Sequence, residues 1–94
     1  MRLVSQDRRY DLPYNRTAII TKRVFDFNDK KEMVYAFHII GVFEDDKYIL
    51  GEYSSQEKAD HVLNLMRETY TVSDDYTHVI VPFPDDNEVL LTDD

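Results

Sequence analysis

The chain contains no cysteine among its 94 residues. That excludes a disulfide framework, a thiolate zinc site and a cysteine nucleophile. Glycine occurs only at Gly41 and Gly51, and proline only at Pro13, Pro82 and Pro84. Two glycines so placed cannot build the Gly-rich loops that cradle phosphates, and there is no linker, repeat or low-complexity segment. The longest apolar runs, such as 34–40, contain His38 and fall far short of a membrane span. The N-terminus lacks the basic segment followed by an apolar stretch that marks a secretory leader. We therefore expect a soluble protein of the cytoplasm (of a bacterial host cell, on the resemblance described below), with no membrane contact.

Positive charge is absent from the last third. Residues 1–67 hold 11 Lys/Arg and 11 Asp/Glu, whereas residues 68–94 hold no Lys or Arg and eight Asp/Glu, so the formal charge of −8 sits entirely in that part. Such a field repels phosphate and disfavours direct nucleic-acid binding, but attracts a basic partner. A solubilising coat would have the same composition. The composition is that of a folded domain, 43% hydrophobic and 13% aromatic. A chain of this length withdraws only roughly 60–65% of its unfolded surface from water, so its core is small.

The pattern along the chain predicts an α+β fold. Residues 1–5 read as a short strand and 6–15 as a polar connection. Thr17–Phe27 is rich in β-branched and aromatic residues and reads as a strand, followed by the polar turn Asn28-Asp29-Lys30-Lys31. Residues 33–43 are apolar on both faces, which predicts a central, well-covered strand. Glu44-Asp45-Asp46-Lys47 turns the chain into a strand over 48–53, in which Gly51 marks a bulge or a close backbone approach. Ser54-Ser55-Gln56-Glu57 has capping-box spacing, with Ser54 as the cap. Ala59, Val62, Leu63, Met66 and Tyr70 then recur at helical spacing, a helix of about four turns ending near Thr71. A strand over 78–83 and an acidic tail over 85–94 close the chain, the tail with room for one short strand at 88–91. The order is β-β-β-β-α-β. It predicts a mostly antiparallel sheet of four to five strands with one amphipathic helix on a face, as one domain over 1–84 plus the tail. One helix cannot cover such a sheet, and an uncovered part rich in Tyr and Phe is a candidate interface for a partner or a second copy.

Catalytic chemistry finds little support. His38, His61 and His78 fall on different elements and no nucleophile motif accompanies them. The acidic stretches Asp45-Asp46, Asp74-Asp75 and 84–88 lack calcium-loop spacing. Arg8-Arg9-Tyr10 is flanked by Asp7 and Asp11 and reads as a solvated loop. Seven tyrosines are present; their amphipathic rings suit both interfaces and strands. The candidate partner-binding residues are the loop tyrosines Tyr10, Tyr14 and Tyr76 with the acidic Asp74, Asp75, Asp85, Asp86 and Glu88. We expect no catalytic residue, no cofactor and no metal ligand.

The opening Met1-Arg2-Leu3-Val4-Ser5-Gln6-Asp7 followed by Asp11-Leu12-Pro13-Tyr14 resembles small uncharacterised proteins of phages and prophages of Gram-positive bacteria. Leu50-Gly51-Glu52-Tyr53-Ser54, Glu57-Lys58-Ala59 and Phe83-Pro84-Asp85 match the same group. Two departures are Arg8, where the group commonly has Gly, and Asn15, where it commonly has Glu. Gly at position 8 suggests a positive φ there. The resemblance carries no activity. It implies a mobile-element gene acting in a bacterial cytoplasm, with a host or phage protein as target. The expectation is then a non-enzymatic interaction protein, an inhibitor occupying a basic, nucleic-acid-binding surface of a host defence protein. The alternatives are an accessory or structural phage domain forming a homodimer, and a small-ligand-binding domain with a pocket near His38, Tyr53 and His78.

Overall fold

The computed structural model describes residues 1–72 and 79–91. Six strands and one helix follow in the order β1 (Arg2–Val4), β2 (Asp11–Pro13), β3 (Ala18–Phe27), β4 (Met33–Phe43), β5 (Asp46–Tyr53), α1 (Gln56–Val72) and β6 (Ile80–Pro82). The α+β class and the single amphipathic helix agree with the sequence pattern. The single sheet does not: the strands form two three-stranded sheets, β2-β1-β6 and β3-β4-β5. The first strand stays out of the large sheet because the turn after it folds the chain straight back. Ser5 N–H donates to Tyr10 O and Arg8 N–H to Ser5 O, and β2 then pairs antiparallel with β1. The other side of β1 is taken by β6, in parallel. Pro13 and Pro82 sit on the two outer strands of this small sheet, where a missing N–H does no harm.

The turn between β1 and β2 is built from the Ser-Gln-Asp segment. Ser5 is fully buried; its hydroxyl donates to Asp7 Oδ1 (2.6 Å) and accepts from Tyr10 N–H. Arg9 N–H donates to the same Asp7 oxygen. Arg8 between them has φ 63°, the left-handed conformation for which glycine is the natural occupant.

In the large sheet, β3 pairs with β4 over its whole length and β5 pairs with β4 from Phe37 to Phe43. The first turn is a three-residue type: Lys31 N–H donates to Asn28 O, Asn28 N–H to Glu32 O, and Lys31 takes φ 61°. The Asn28 carboxamide oxygen accepts from Lys30 N–H and Glu32 N–H. The second turn has two residues, Glu44 and Asp45, both at positive φ (52° and 68°), as a type I′ turn requires. Opposite the Ile39–Ile40 step the register shifts: Ile39 faces Gly51 and Ile40 faces Ile49, so Leu50 is the extra residue of a bulge. Gly51 is also a close approach, since a Cβ there would lie 2.7 Å from the Tyr53 ring.

The helix packs on the sheet through the apolar stripe read from the sequence; Ala59, Val62, Leu63 and Met66 are buried with Tyr70 packed beside them. Its cap is one residue later than the spacing suggests. Ser55 Oγ accepts from Lys58 N–H, while Ser54 is drawn elsewhere by Asp86. The core joins this stripe to Leu3, Leu12, Ile39, Leu50, Tyr53, Phe83 and Val89. Val89 lies within the segment read as a tail, yet is 5% exposed. Residues 86–88 form a 3₁₀ turn rather than part of a strand. The expectation that β4 is well covered fails over its first half. Only Ile39 and Gly41 are buried, because β5 ends opposite Phe37 and neither β5 nor the helix reaches further.

One side chain ties these parts together. Gln6 N–H donates to Leu50 O, the Gln6 Oε1 accepts from Glu52 N–H (2.7 Å), and its Nε2 donates to Glu52 O and Pro84 O. The outer edge of β5 is thereby occupied by a side-chain amide in place of a strand. Tyr53 Oη donates to the same Pro84 carbonyl.

Replacing Gln6 by Ala leaves the Glu52 N–H and C=O without a protein partner and the Pro84 carbonyl with only its Tyr53 bond, and chemical denaturation should show a loss of about 1–3 kcal/mol. The double change Glu44→Asn, Asp45→Gly relieves two left-handed residues and should raise stability by about 1 kcal/mol in the same assay. Unchanged or lowered stability would mean that the loop does not hold the positive-φ turn.

Candidate partner interface

The hairpin of β3 and β4 outruns the rest of the large sheet. Beyond Phe37 it is a two-stranded arm, residues 24–36, paired only within itself. The register places Phe25 opposite Tyr35 and Phe27 opposite Met33. Side chains alternate along a strand and directly opposed residues share a face, so these four project from one side, the side that carries buried Ile39 further along. On the arm that side has no cover: Phe25 is 59% exposed, Phe27 68%, Met33 59% and Tyr35 45%. With about 200 Å² for each large side chain, the patch comes to roughly 450 Å², the size of the largest apolar patch on a typical monomer, which is often functional. The rings are already ordered: Phe25 and Tyr35 lie 4.8 Å apart in a tilted pair, and the Arg23 guanidinium sits 5.0 Å from the Tyr35 centroid.

Next to this patch runs an open groove of about 570 Å³, lined on the β3–β4 hairpin by Arg23, Val34, Tyr35 and Phe37 and on the helix side by Ser54, Ser55, Gln56 and Glu57. The helix-side wall is backed by the C-terminal segment. Asp86 Oδ1 accepts from Ser54 N–H (2.8 Å) and from the Ser54 hydroxyl, and Lys58 Nζ donates to Asp86 O. Glu57 is exposed on that wall, and Asp85, next to Asp86 in the chain, is exposed as well. Apolar arm, groove and acidic wall thus form one continuous surface.

The residues singled out from sequence fall in different places. Asp74, Asp75 and Tyr76, like His78, lie outside the described residues. Tyr10 stacks on Tyr48 (4.9 Å) and Tyr14 on Tyr70 (4.7 Å), so both rings have partners within the fold. Of the acidic candidates, Asp86 is held by Ser54 and Lys58, Glu88 by the Asp85 N–H, and Asp85, the cap residue of the 86–88 turn, is exposed. The sequence pattern places Phe25, Phe27, Met33 and Tyr35 in strands and makes an uncovered Tyr- and Phe-rich part of the sheet a candidate interface, but does not say which residues form it. The signal that marks them is the length of the third strand, too short to pair the whole hairpin.

The histidines do not converge. His38 Nε2 lies 2.9 Å from Glu52 Oε2 on the sheet face away from the helix, and His61 is half-buried on α1. Among the described residues, no group of three or more His, Asp or Glu is placed to hold a metal ion, and no helix is long and apolar enough to cross a membrane. In comparisons with family models, curated proteins and solved structures, no significant match is found.

Burial at Asp86 opposes ionisation, but the Ser54 N–H and hydroxyl and the Lys58 ammonium outweigh it, and the carboxyl is held below its ordinary value of 3.8. The Ser5 hydroxyl, with the Arg9 N–H, likewise lowers Asp7. A carboxyl whose folded pKa lies below the unfolded one stabilises the fold above the unfolded pKa and loses that contribution as pH falls through the folded one. Asp86→Asn should therefore melt below the wild type at neutral pH, with the gap narrowing as the pH falls below the ordinary value of 3.8 and through the lowered folded one. A gap that is constant with pH would show that the carboxylate charge contributes nothing to the wall.

Proposed function

We propose that this protein is a non-enzymatic interaction protein that works by occupancy, docking the aromatic face of the β3–β4 arm onto a protein partner. The observation that carries the reading is the exposure of Phe25, Phe27, Met33 and Tyr35 on a hairpin projecting beyond the sheet. Burying such rings is the usual source of binding energy at an interface, and they are pre-ordered by the Phe25–Tyr35 and Arg23 contacts, which lowers the entropy lost on docking. The Glu57 and Asp85 side supplies a negative rim, so a partner with a basic border around an apolar centre fits best. That description suits the nucleic-acid-binding surface of a host defence protein, and the resemblance to phage and prophage proteins implies a host or phage protein as target. Carboxylates there take the place of phosphates, while the aromatic arm provides the affinity.

Affinity capture from nuclease-treated lysate of a Gram-positive bacterium tests this with three baits. The wild type should return one stoichiometric partner. Phe25→Asp with Phe27→Asp should lose it. Glu57→Lys with Asp85→Lys, which spares the structural Asp86, should hold it at least tenfold more weakly, in the way that added salt does. Undiminished capture by the Phe25/Phe27 variant overturns the arm as the docking element.

A further inference from the structure

The two edges of the large sheet are treated differently. The outer edge of β5 is occupied by Gln6, which bonds Leu50 O, Glu52 N–H and Glu52 O. The outer edge of β3 carries no strand among the described residues, although β3 is ten residues long. Because Asn28 N–H bonds Glu32 O across the turn, the even-numbered residues of β3 bond to β4 and the odd-numbered ones turn their N–H and C=O groups outward. Among the described residues, the one bond along that free edge is from the Phe27 N–H to its neighbour's Asp26 Oδ1. A long strand with a free edge is a template for another strand.

We infer that this edge pairs with the same edge of a second copy, giving a two-fold dimer with one continuous six-stranded sheet. An isologous contact brings the same surface from both copies, so it must be self-complementary. Antiparallel pairing centred on Val24 meets that condition. It sets Arg23 against Phe25 and Thr21 against Phe27 of the second copy, all odd-numbered residues with outward backbone groups. It sets Lys22 against Asp26 of the second copy, twice over by symmetry. Opposite charges facing across an antiparallel pair stabilise it, and like charges destabilise it. The neighbouring registers lose this match: centring on Lys22 or on Arg23 opposes like charges at the axis. Centring on Val24 also brings Phe25 and Phe27 toward Arg23 and Thr21 of the second copy, which in their own chain border the helix beside Gln56, Ala59 and Asp60. The exposed rings of each arm thus gain a neighbouring helix, and the two aromatic faces adjoin on one side of the sheet. This inference shares the hairpin with the docking reading but rests on the backbone edge and on Lys22 and Asp26, not on the ring face.

Sedimentation velocity and light scattering at micromolar concentrations should give twice the 11.2 kDa mass of the chain. Lys22→Glu and Asp26→Lys, each at an exposed position, should each weaken the dimer at least tenfold while circular dichroism stays that of the wild type. The double variant K22E/D26K, which restores opposite charges in exchanged places, should recover the dimer. A wild-type monomer overturns the inference, and so does a dimer that is indifferent to the single charge changes. Capture of the partner by a Lys22→Glu monomer would leave the docking reading standing, so the two fail separately.

Discussion

Gln6 sits where three segments distant in the chain converge, and the structure depends on its amide. The end of β5, the Pro84 carbonyl and the start of the β1–β2 turn each bring backbone groups that have no ladder partner at that place. A carboxamide carries both a donor and an acceptor, so one side chain can bond an N–H and a C=O at once. A hydrocarbon at this position would leave the Glu52 N–H and C=O unpaired and the Pro84 carbonyl bonded to Tyr53 alone, at the border of a core holding Tyr53 and Phe83. With Gln6 in place, the small sheet is anchored to the edge of the large one and the C-terminal segment is clamped over Tyr53.

That clamp determines what is free to act outward. Because the chain from β1, β6 and residues 83–89 closes over one end of the large sheet, the apolar residues there become the core. At the other end the hairpin continues past β5 with the same alternation of side chains and nothing packed on it. One apolar face thus serves as core near Ile39 and as open surface near Phe25 and Tyr35. A two-stranded ribbon is only marginally stable by itself. Here the ring pair, the Arg23 contacts and the Asn28-centred turn hold it in shape, which leaves the aromatic face ordered enough to recognise a partner.

The acidic third has two kinds of residue in it. Asp86 joins Ser54 and Lys58 across the entrance to α1, and Glu88 closes a 3₁₀ turn that brings Val89 into the core. Asp85 is exposed. A surplus of charge in a stretch of sequence does not distinguish these roles, since a carboxylate's use depends on which N–H groups the fold sets before it.

Local chemistry was legible in the residues themselves. The helical stripe from Ala59 to Tyr70, the two hairpin turns and the bulge beside Gly51 all arise from interactions within a few residues, where steric and hydrogen-bonding preferences act directly. Which strands share a sheet was not legible, because three-residue strands such as β1 and β6 carry too few side chains to specify partners and pair only when Gln6 and the core bring them together. The same holds for the arm: alternation marks Phe25, Phe27, Met33 and Tyr35 as one face of a hairpin, but whether that face is buried depends on how far β5 and α1 extend beside it. Sequence determined the elements and their patterned faces; tertiary structure decided which face meets water, because burial is a property of what lies opposite and not of the residue.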